Sequence, residues 1–274
     1  MTKRKEFFRQ MAALVALFFF LESLAFTNFG APSAAWAAEE GETRQNAAEG
    51  VVTAAALTGD MFSGGDGTEG NPYIIDTAAQ LAGLAQEVNN GNDGYGNDCG
   101  GVYFKLGGDI ALTGNWTPIG NSANPFMGVF DGGGHKITGL NIPRSMGLTH
   151  AGLFGYIQYF SYYDSESSSY KDGGGTIKNL SVEIANGGAV WAYSISESSI
   201  YAGGIVAYGS GHIINCHVSG SVRTEGGVSS AYAGGVVGQF FGYGYDYDYD
   251  YDQNYDRMSR LIYSSSTGEV RAEG

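Results

Sequence analysis

Three groups of residues in this 274-residue chain have types and spacings that could do chemistry. In "FDGGGHKI", Asp131 and His135 could act as acid and base in hydrolysis, or as metal ligands. His212 and His217 flank Cys216, and imidazole with thiolate is a donor set for zinc. Asp246, Asp248 and Asp250 lie in "YGYDYDYDYDQNYD" with the alternating-acid rhythm of a calcium loop. Each weakens when its surroundings are read. No nucleophile or second acid stands near Asp131 and His135, and the intervening Gly132, Gly133 and Gly134 read as a chain corner. Exposed strand histidines around a buried thiol account for the second group. The third has Tyr251 where a calcium loop needs glycine and Arg257 where it needs glutamate, so a solvated low-complexity loop is expected there. Asp246, Asp248 and Asp250 remain weak metal candidates, and no cofactor is implied. Asp109 and Glu183 are isolated acids, which leaves only a carboxylate pair from distant segments to support an enzyme. Trp116 and Phe126 read as packing residues.

The elements that must position such groups follow from composition and pattern. A basic start, "MTKRKEFFRQ", precedes the apolar "MAALVALFFFLESLAF" and the small-residue stretch "APSAAWAAEE". This predicts a signal peptide over residues 1–37, cut after Ala37, and hence export. The net charge is −14, and losing Lys3, Arg4, Lys5 and Arg9 with Glu6 and Glu22 leaves −16 on the mature part. Nucleic acid and anionic lipid are poor partners for such a chain. Cys99 and Cys216 are the only cysteines, in a polar loop and an apolar strand pattern, so no disulfide scaffold is expected. With Gly 45 and Tyr 19 against Pro 5, the class is all-β with little helix. The one helix expected is "TAAQLAGLAQEV", about Thr77–Val88, with Thr77 and Gln80 in capping-box positions. Its stripe of Leu81, Leu84, Ala85 and Val88 is expected to cover the open end of a strand system beginning near Gly101.

The chain then repeats itself. Gly152-Leu153-Phe154-Gly155, Gly204-Ile205-Val206-Ala207 and Gly235-Val236-Val237-Gly238 correspond, as do "GTIKNLSVEI", "GHIINCHVSG" and "SRLIYSSSTG". Within one copy, Cys216, Val218 and Val222 share a parity that Ile213 lacks, so one straight strand cannot turn all four inward. A bend near Asn215, and its counterpart at Asn179, resolves this, with side-chain amides that can stack from copy to copy. Short strands with such corners, repeated every few tens of residues, specify a parallel β-solenoid. Gly155 to Gly175 is 20 positions, Ala207 to Gly211 is 4, and Gly238 to Ser259 is 21. Two copies therefore carry insertions at the same point, about residues 156–172 and 240–257, both rich in Tyr, Asp and Ser.

These motifs resemble those of bacterial surface proteins carrying GLUG repeats, over about residues 68–270. The motif is clearest in "GGIVAYGSGHIINCHVSGSV" and looser in "GLFGYI…GTIKNLSV" and "GGVVG…LIYSSSTGEV", whose third copy has Tyr263 where Asn is expected. The resemblance implies a right-handed parallel β-helix on secreted or cell-wall proteins, often with adhesive roles. The expected organisation is a flexible leader over 38–67, an N-terminal cap and first coils over 68–150, and repeats over 151–274 that continue beyond Gly274. The expected function is an exported, non-enzymatic, adhesin-like module that binds host or cell-envelope protein or glycan through one edge. Tyr162, Tyr163, Tyr247 and Tyr249 are the candidate ligand-binding residues, since a solenoid maps equivalent insertions to one edge. A carbohydrate-active β-helix lyase or hydrolase and a passive stalk are the alternatives.

Overall fold

Ile177, Leu180, Val182 and Ile184 are all buried, yet they cannot share one face of a straight strand. The strand Thr176–Ile184 buries all of them because Asn179 takes the left-handed conformation, φ +53°, and reverses the parity between Ile177 and Leu180. Asn215 does the same, also at φ +53°, within His212–Ser219. The side chains connect these corners: Asn215 Nδ2 donates to Asn179 Oδ1 at 3.0 Å, and Asn179 Nδ2 donates to Asp131 Oδ1 at 3.0 Å. Tyr263, at φ +49°, adopts the same corner geometry in the third copy although its side chain has no amide. Asymmetry enters there, because left-handed backbone is much costlier for Tyr than for Asn.

The computed structural model describes residues 61–91, 101–164, 169–242 and 259–274, with backbone alone for 160–164 and 169–173. The chain divides into two units, 1–53 and 54–274, and every described residue is in the second. The predicted signal peptide, most of the leader, Cys99, Tyr247, Tyr249 and the candidate metal residues Asp246, Asp248 and Asp250 lie outside the described residues.

The described part is mostly short strands paired in parallel. The main sheet runs in the order Tyr73–Ile75, Tyr103–Leu106, Val129–Asp131, Thr176–Ile184, His212–Ser219, Arg260–Ile262. Three smaller parallel sheets each take one strand from successive passes of the chain. The second holds Val190–Ser194, Val222–Gly226 and Val270–Ala272; the third, His150–Ala151, Ser199–Gly203 and Ser230–Gly234; the fourth, Phe154–Ile157, Val206–Gly209 and Val237–Phe240. From Thr176–Ile184 and again from His212–Ser219, the chain visits the second, third and fourth sheets in that order and returns to the main sheet. Register keeps like over like: Ile177↔Ile213↔Leu261, Leu180↔Cys216, and Val190↔Val222↔Val270.

The main sheet begins earlier than Gly101. Tyr73–Ile75 precedes the helix and already pairs in parallel with Tyr103–Leu106, so the helix is an excursion between two neighbouring strands. That helix, α1, spans Ala78–Asn89 with Thr77 as N-cap, and the Thr77 and Gln80 side chains satisfy one another's backbone N–H groups. Leu81, Leu84, Ala85 and Val88 are buried in the same core as Ile75, Phe104, Leu106 and Phe126. Each fully buried aliphatic side chain of this kind contributes about 1.5–3 kcal/mol, which is what fixes so short a helix in place.

Candidate functional site

The paired glycines of "YAGGIVAYG" bring two strands of successive sheets close together. A Cβ on Gly203 would meet the Val206 carbonyl oxygen at 2.0 Å, and one on Gly204 would meet Val218 Cγ1 at 2.4 Å. Only glycine permits a turn that close. Its consequence lies on the outer surface. Ile200 and Ala202 are buried, so Tyr201 between them faces outward; Val206 and Ala207 are buried, and Tyr208 faces outward after them. The tight turn sets the Tyr201 and Tyr208 rings 4.6 Å apart.

Parallel register extends this pair into a surface. In the third sheet Tyr201 is in register with His150 on one side and Tyr232 on the other, at ring distances of 4.9 and 5.2 Å, the tyrosine pair stacked within 8°. In the fourth sheet Tyr208 is in register with Tyr156, 5.0 Å away, and with Gln239. His150 bridges the two columns, 5.7 Å from Tyr208 and 6.3 Å from Tyr156. Phe241 closes on Tyr208 from the far side at 5.0 Å. Such ring pairs contribute about 0.5–1.5 kcal/mol each beyond their burial, so the columns hold their own shape. Burial holds the His150 pKa below the usual histidine value of 6.5, and its Nδ1 lies 2.9 Å from Thr149 Oγ1. The ring is therefore neutral at pH 7.

The two insertions leave the chain beside these columns. Both run from the fourth sheet to the main sheet, at the corner that the middle pass turns with Ser210 and Gly211 alone. The first insertion carries a hairpin: Phe160–Asp164 pairs antiparallel with Ser169–Gly174, matching Tyr163 with Tyr170 and Tyr162 with Lys171. Its foot is pinned by Tyr159, whose N–H donates to Ser210 Oγ at 3.2 Å and whose ring meets His212 at 5.1 Å. The second insertion leaves after Phe241 and returns at Ser259, where Ser259 Oγ donates to the Phe241 carbonyl at 2.7 Å and accepts from Gly211 N at 2.9 Å. The structure thus places Tyr162 and Tyr163 on one strand of a hairpin rooted at the edge of the aromatic columns.

The other predicted groups separate. Asp131 is committed to the corner: its Oδ1 accepts from Gly133 N at 2.8 Å and from Asn179, and Lys178 Nζ is 3.7 Å from its Oδ2. His135 faces Asp109 instead, with 3.4 Å between ring nitrogen and carboxylate. Glu183, the other lone acid, pairs with Lys136 at 3.2 Å. His212 corrects the expectation of exposed histidines. It is 5% exposed, at the start of the strand His212–Ser219 with the Tyr159 ring against it, whereas His217 is exposed and bonds Ser265 at 2.9 Å. Cys216 is a buried free thiol, its pKa pushed up to about 11 by burial, which keeps it protonated and a poor metal ligand. Trp116 and Phe126 pack in the core, and Trp116 Nε1 donates to the Leu153 carbonyl at 3.0 Å. Among the described residues, no three His, Cys, Asp or Glu side chains are grouped to hold a metal ion, and no helix is long and apolar enough to cross a membrane.

The columns themselves were missed in the sequence, although a signal was there. Tyr201 and Tyr232 open the two "YAGG" copies, and Tyr156 and Tyr208 each stand four residues after the first glycine of their repeat. Repeat arithmetic applied to tyrosine, as it was to glycine and asparagine, finds both columns.

No family model matches the chain. A protein of Evansella cellulosilytica, provisionally named a Gly-rich membrane protein, is 40% identical over 104 residues, 35% of this chain and 11% of that protein. The chain thus corresponds to about a tenth of the length of that curated relative. Among solved structures, a provisionally assigned immunoglobulin A1 protease from Bacteroides ovatus superposes with a TM-score of 0.46 at 19% identity, over 78% of this chain and 62% of that one.

Proposed function

We propose that the described passes form a right-handed parallel β-helix of GLUG-type repeats, and that the protein is an exported, adhesin-like surface module without catalytic activity. In this reading it binds host or cell-envelope protein or glycan through the corner where Tyr156, Tyr201, Tyr208 and Tyr232 meet the inserted hairpin. The observation that carries it is the pair of outward ring columns. Tyrosine and histidine on a surface, already ordered by stacking, offer contact area and polar tips at low entropic cost, which suits recognition. A surface location fits the predicted signal peptide and the name of the Evansella cellulosilytica relative, that of a membrane protein.

The test uses the purified chain on glycan arrays and on immobilised cell-envelope fractions, beside a Tyr201→Ala/Tyr208→Ala double variant. Removing two central rings from an interface costs about tenfold or more in affinity. Binding that survives both substitutions undiminished overturns this site.

A further inference from the structure

A second surface, beside the second sheet, has a different chemistry. An open groove of about 790 Å³ runs between the turn at Asn186 and Gly187, the segment around Arg144, and the second sheet. That volume is in the range of small-molecule sites. Its floor carries Trp191, with the Arg223 guanidinium 5.6 Å from the ring. Register explains the pair, since Trp191 and Arg223 are directly opposite on neighbouring strands. Arg144 lines the opposite wall, its guanidinium 3.8 Å over the Tyr193 ring. Asn141 and Asn186 add side-chain amides, and a Cβ on Gly187 would meet nothing within 4 Å, so the groove stays open there.

The charge of the lining is what singles it out. The chain has 28 acidic residues against 14 Lys and Arg, yet the groove is lined by two arginines and by no Asp or Glu. Both arginines hold glutamates outside the groove: Arg144 bonds Glu225 at 2.9 Å and Arg223 pairs with Glu269. Arg144, Glu225 and Glu269 are exposed by 37% or more and Arg223 is half-buried; ion pairs in reach of solvent are worth only about 0–1 kcal/mol, so a better-placed carboxylate can recruit either guanidinium. Two donors on lining side chains, Trp191 Nε1 and Arg223 Nε, are buried with no acceptor. A buried donor without an acceptor is unfavourable, and an oxygen-rich ligand reached by a small turn of either side chain relieves it.

We infer that this groove binds a carboxylated sugar residue, with its ring against the Trp191 indole and its carboxylate taken by the Arg144 and Arg223 guanidiniums. Aromatic face, planar amides and bidentate cations are the complement of pyranose C–H groups, hydroxyls and a carboxylate. Such a residue could come from a uronate polymer or from a sialylated glycan. The site is on a different sheet from the tyrosine columns and does not rest on the adhesive reading.

Calorimetric titration of the full chain with a galacturonate oligomer, with sialyllactose and with lactose distinguishes the sources. One acidic ligand binds and perturbs the Trp191 fluorescence, and lactose binds at least about tenfold more weakly. Arg144→Gln, Arg223→Gln and Trp191→Ala each lower that affinity about tenfold. Should Arg223→Gln fail to fold, Arg144→Lys, which keeps the charge and loses the fork, gives an intermediate loss. Equal binding of lactose and the acidic ligand overturns the inference. So does failure of both acidic ligands to bind at millimolar concentration, or full affinity in Arg144→Gln.

Discussion

The strand Phe154–Ile157 sends Phe154 inward and Tyr156 outward, and each belongs to a stack of rings that crosses several passes of the chain. Inside, Phe62, Phe104, Phe126, Phe154 and Phe130 follow one another at 5.7, 6.0, 5.0 and 5.4 Å. Outside, His150, Tyr156, Tyr201, Tyr208 and Tyr232 contact at comparable distances. These five phenylalanines have no polar atom to satisfy, and 6% exposure at Phe62 is their maximum; the half-buried Tyr73 flanks the end of the series, stacked 4.7 Å from Phe62. The outer stack is tyrosine and histidine with Phe241 against Tyr208 at one side, and Tyr232 is 36% exposed. Geometry is shared; solvent is not. The inner rings are where transfer from water puts them. Outer rings recover only part of that free energy, so stability alone does not demand aromatic side chains there.

The largest effect that tests this contrast is on stability. Phe126→Ala removes a fully buried ring and is expected to cost about 3–5 kcal/mol, read from denaturant midpoints. Tyr201→Ala is expected to cost only about 1 kcal/mol, the loss of ring pairs at a solvated surface. If the two losses were equal, the outer columns would be core in all but position, and their case as a binding surface would collapse.

A smaller effect lies at the corners that divide inside from outside. Asp131, Asn179 and Asn215 are joined there by side-chain hydrogen bonds, and Tyr263 ends the series at 83% exposure. Tyr263→Asn relieves left-handed strain and offers the next amide to Asn215. It is expected to stabilise by roughly 0.5–1 kcal/mol, seen as a raised melting temperature. A fall in stability would mean that the Tyr263 ring contributes packing its exposure does not suggest.

These corners were legible in the sequence because they break a rule: apolar residues of mixed parity around an Asn demand a parity switch. Helix α1 was legible through its Thr77–Gln80 box, and the insertion point through the spacing of glycines. What the sequence hid depends on contacts between passes. His150 meets Tyr201 only through parallel register, and the ring of Tyr201 reaches Tyr208 only because Gly203 and Gly204 fold the chain back. His212 looked exposed because alternation within its own strand cannot show that Tyr159, at the foot of an insertion, comes to rest against it. The pairing of the strand before α1 is invisible to local pattern, since its partner, Tyr103–Leu106, comes after the helix and a further loop. The Trp191 groove was missed for the same reason, as Arg144 and Arg223 are far apart in sequence.

The smallest expected effect is one of pH, and it belongs to the outer stack alone, because phenylalanine does not titrate. Burial among the tyrosines disfavours the charged imidazolium of His150, so its folded pKa lies below the unfolded value near 6.5. Above that value both states are neutral and the contribution to stability is fully present. As pH falls through it, the unfolded chain takes up a proton that the folded one refuses, and stability declines until the folded pKa is reached, below which the difference is constant. The measurement is a difference between two chains, so that whatever else depends on pH cancels. Melting temperatures of the native chain and of His150→Phe, which keeps a ring in the column, are compared from pH 8 down to about pH 5. The variant should gain on the native chain as the pH passes below 6.5 and hold its lead thereafter. Parallel curves would mean that His150 is as solvated as a surface histidine, and the column would then be looser than its ring distances imply.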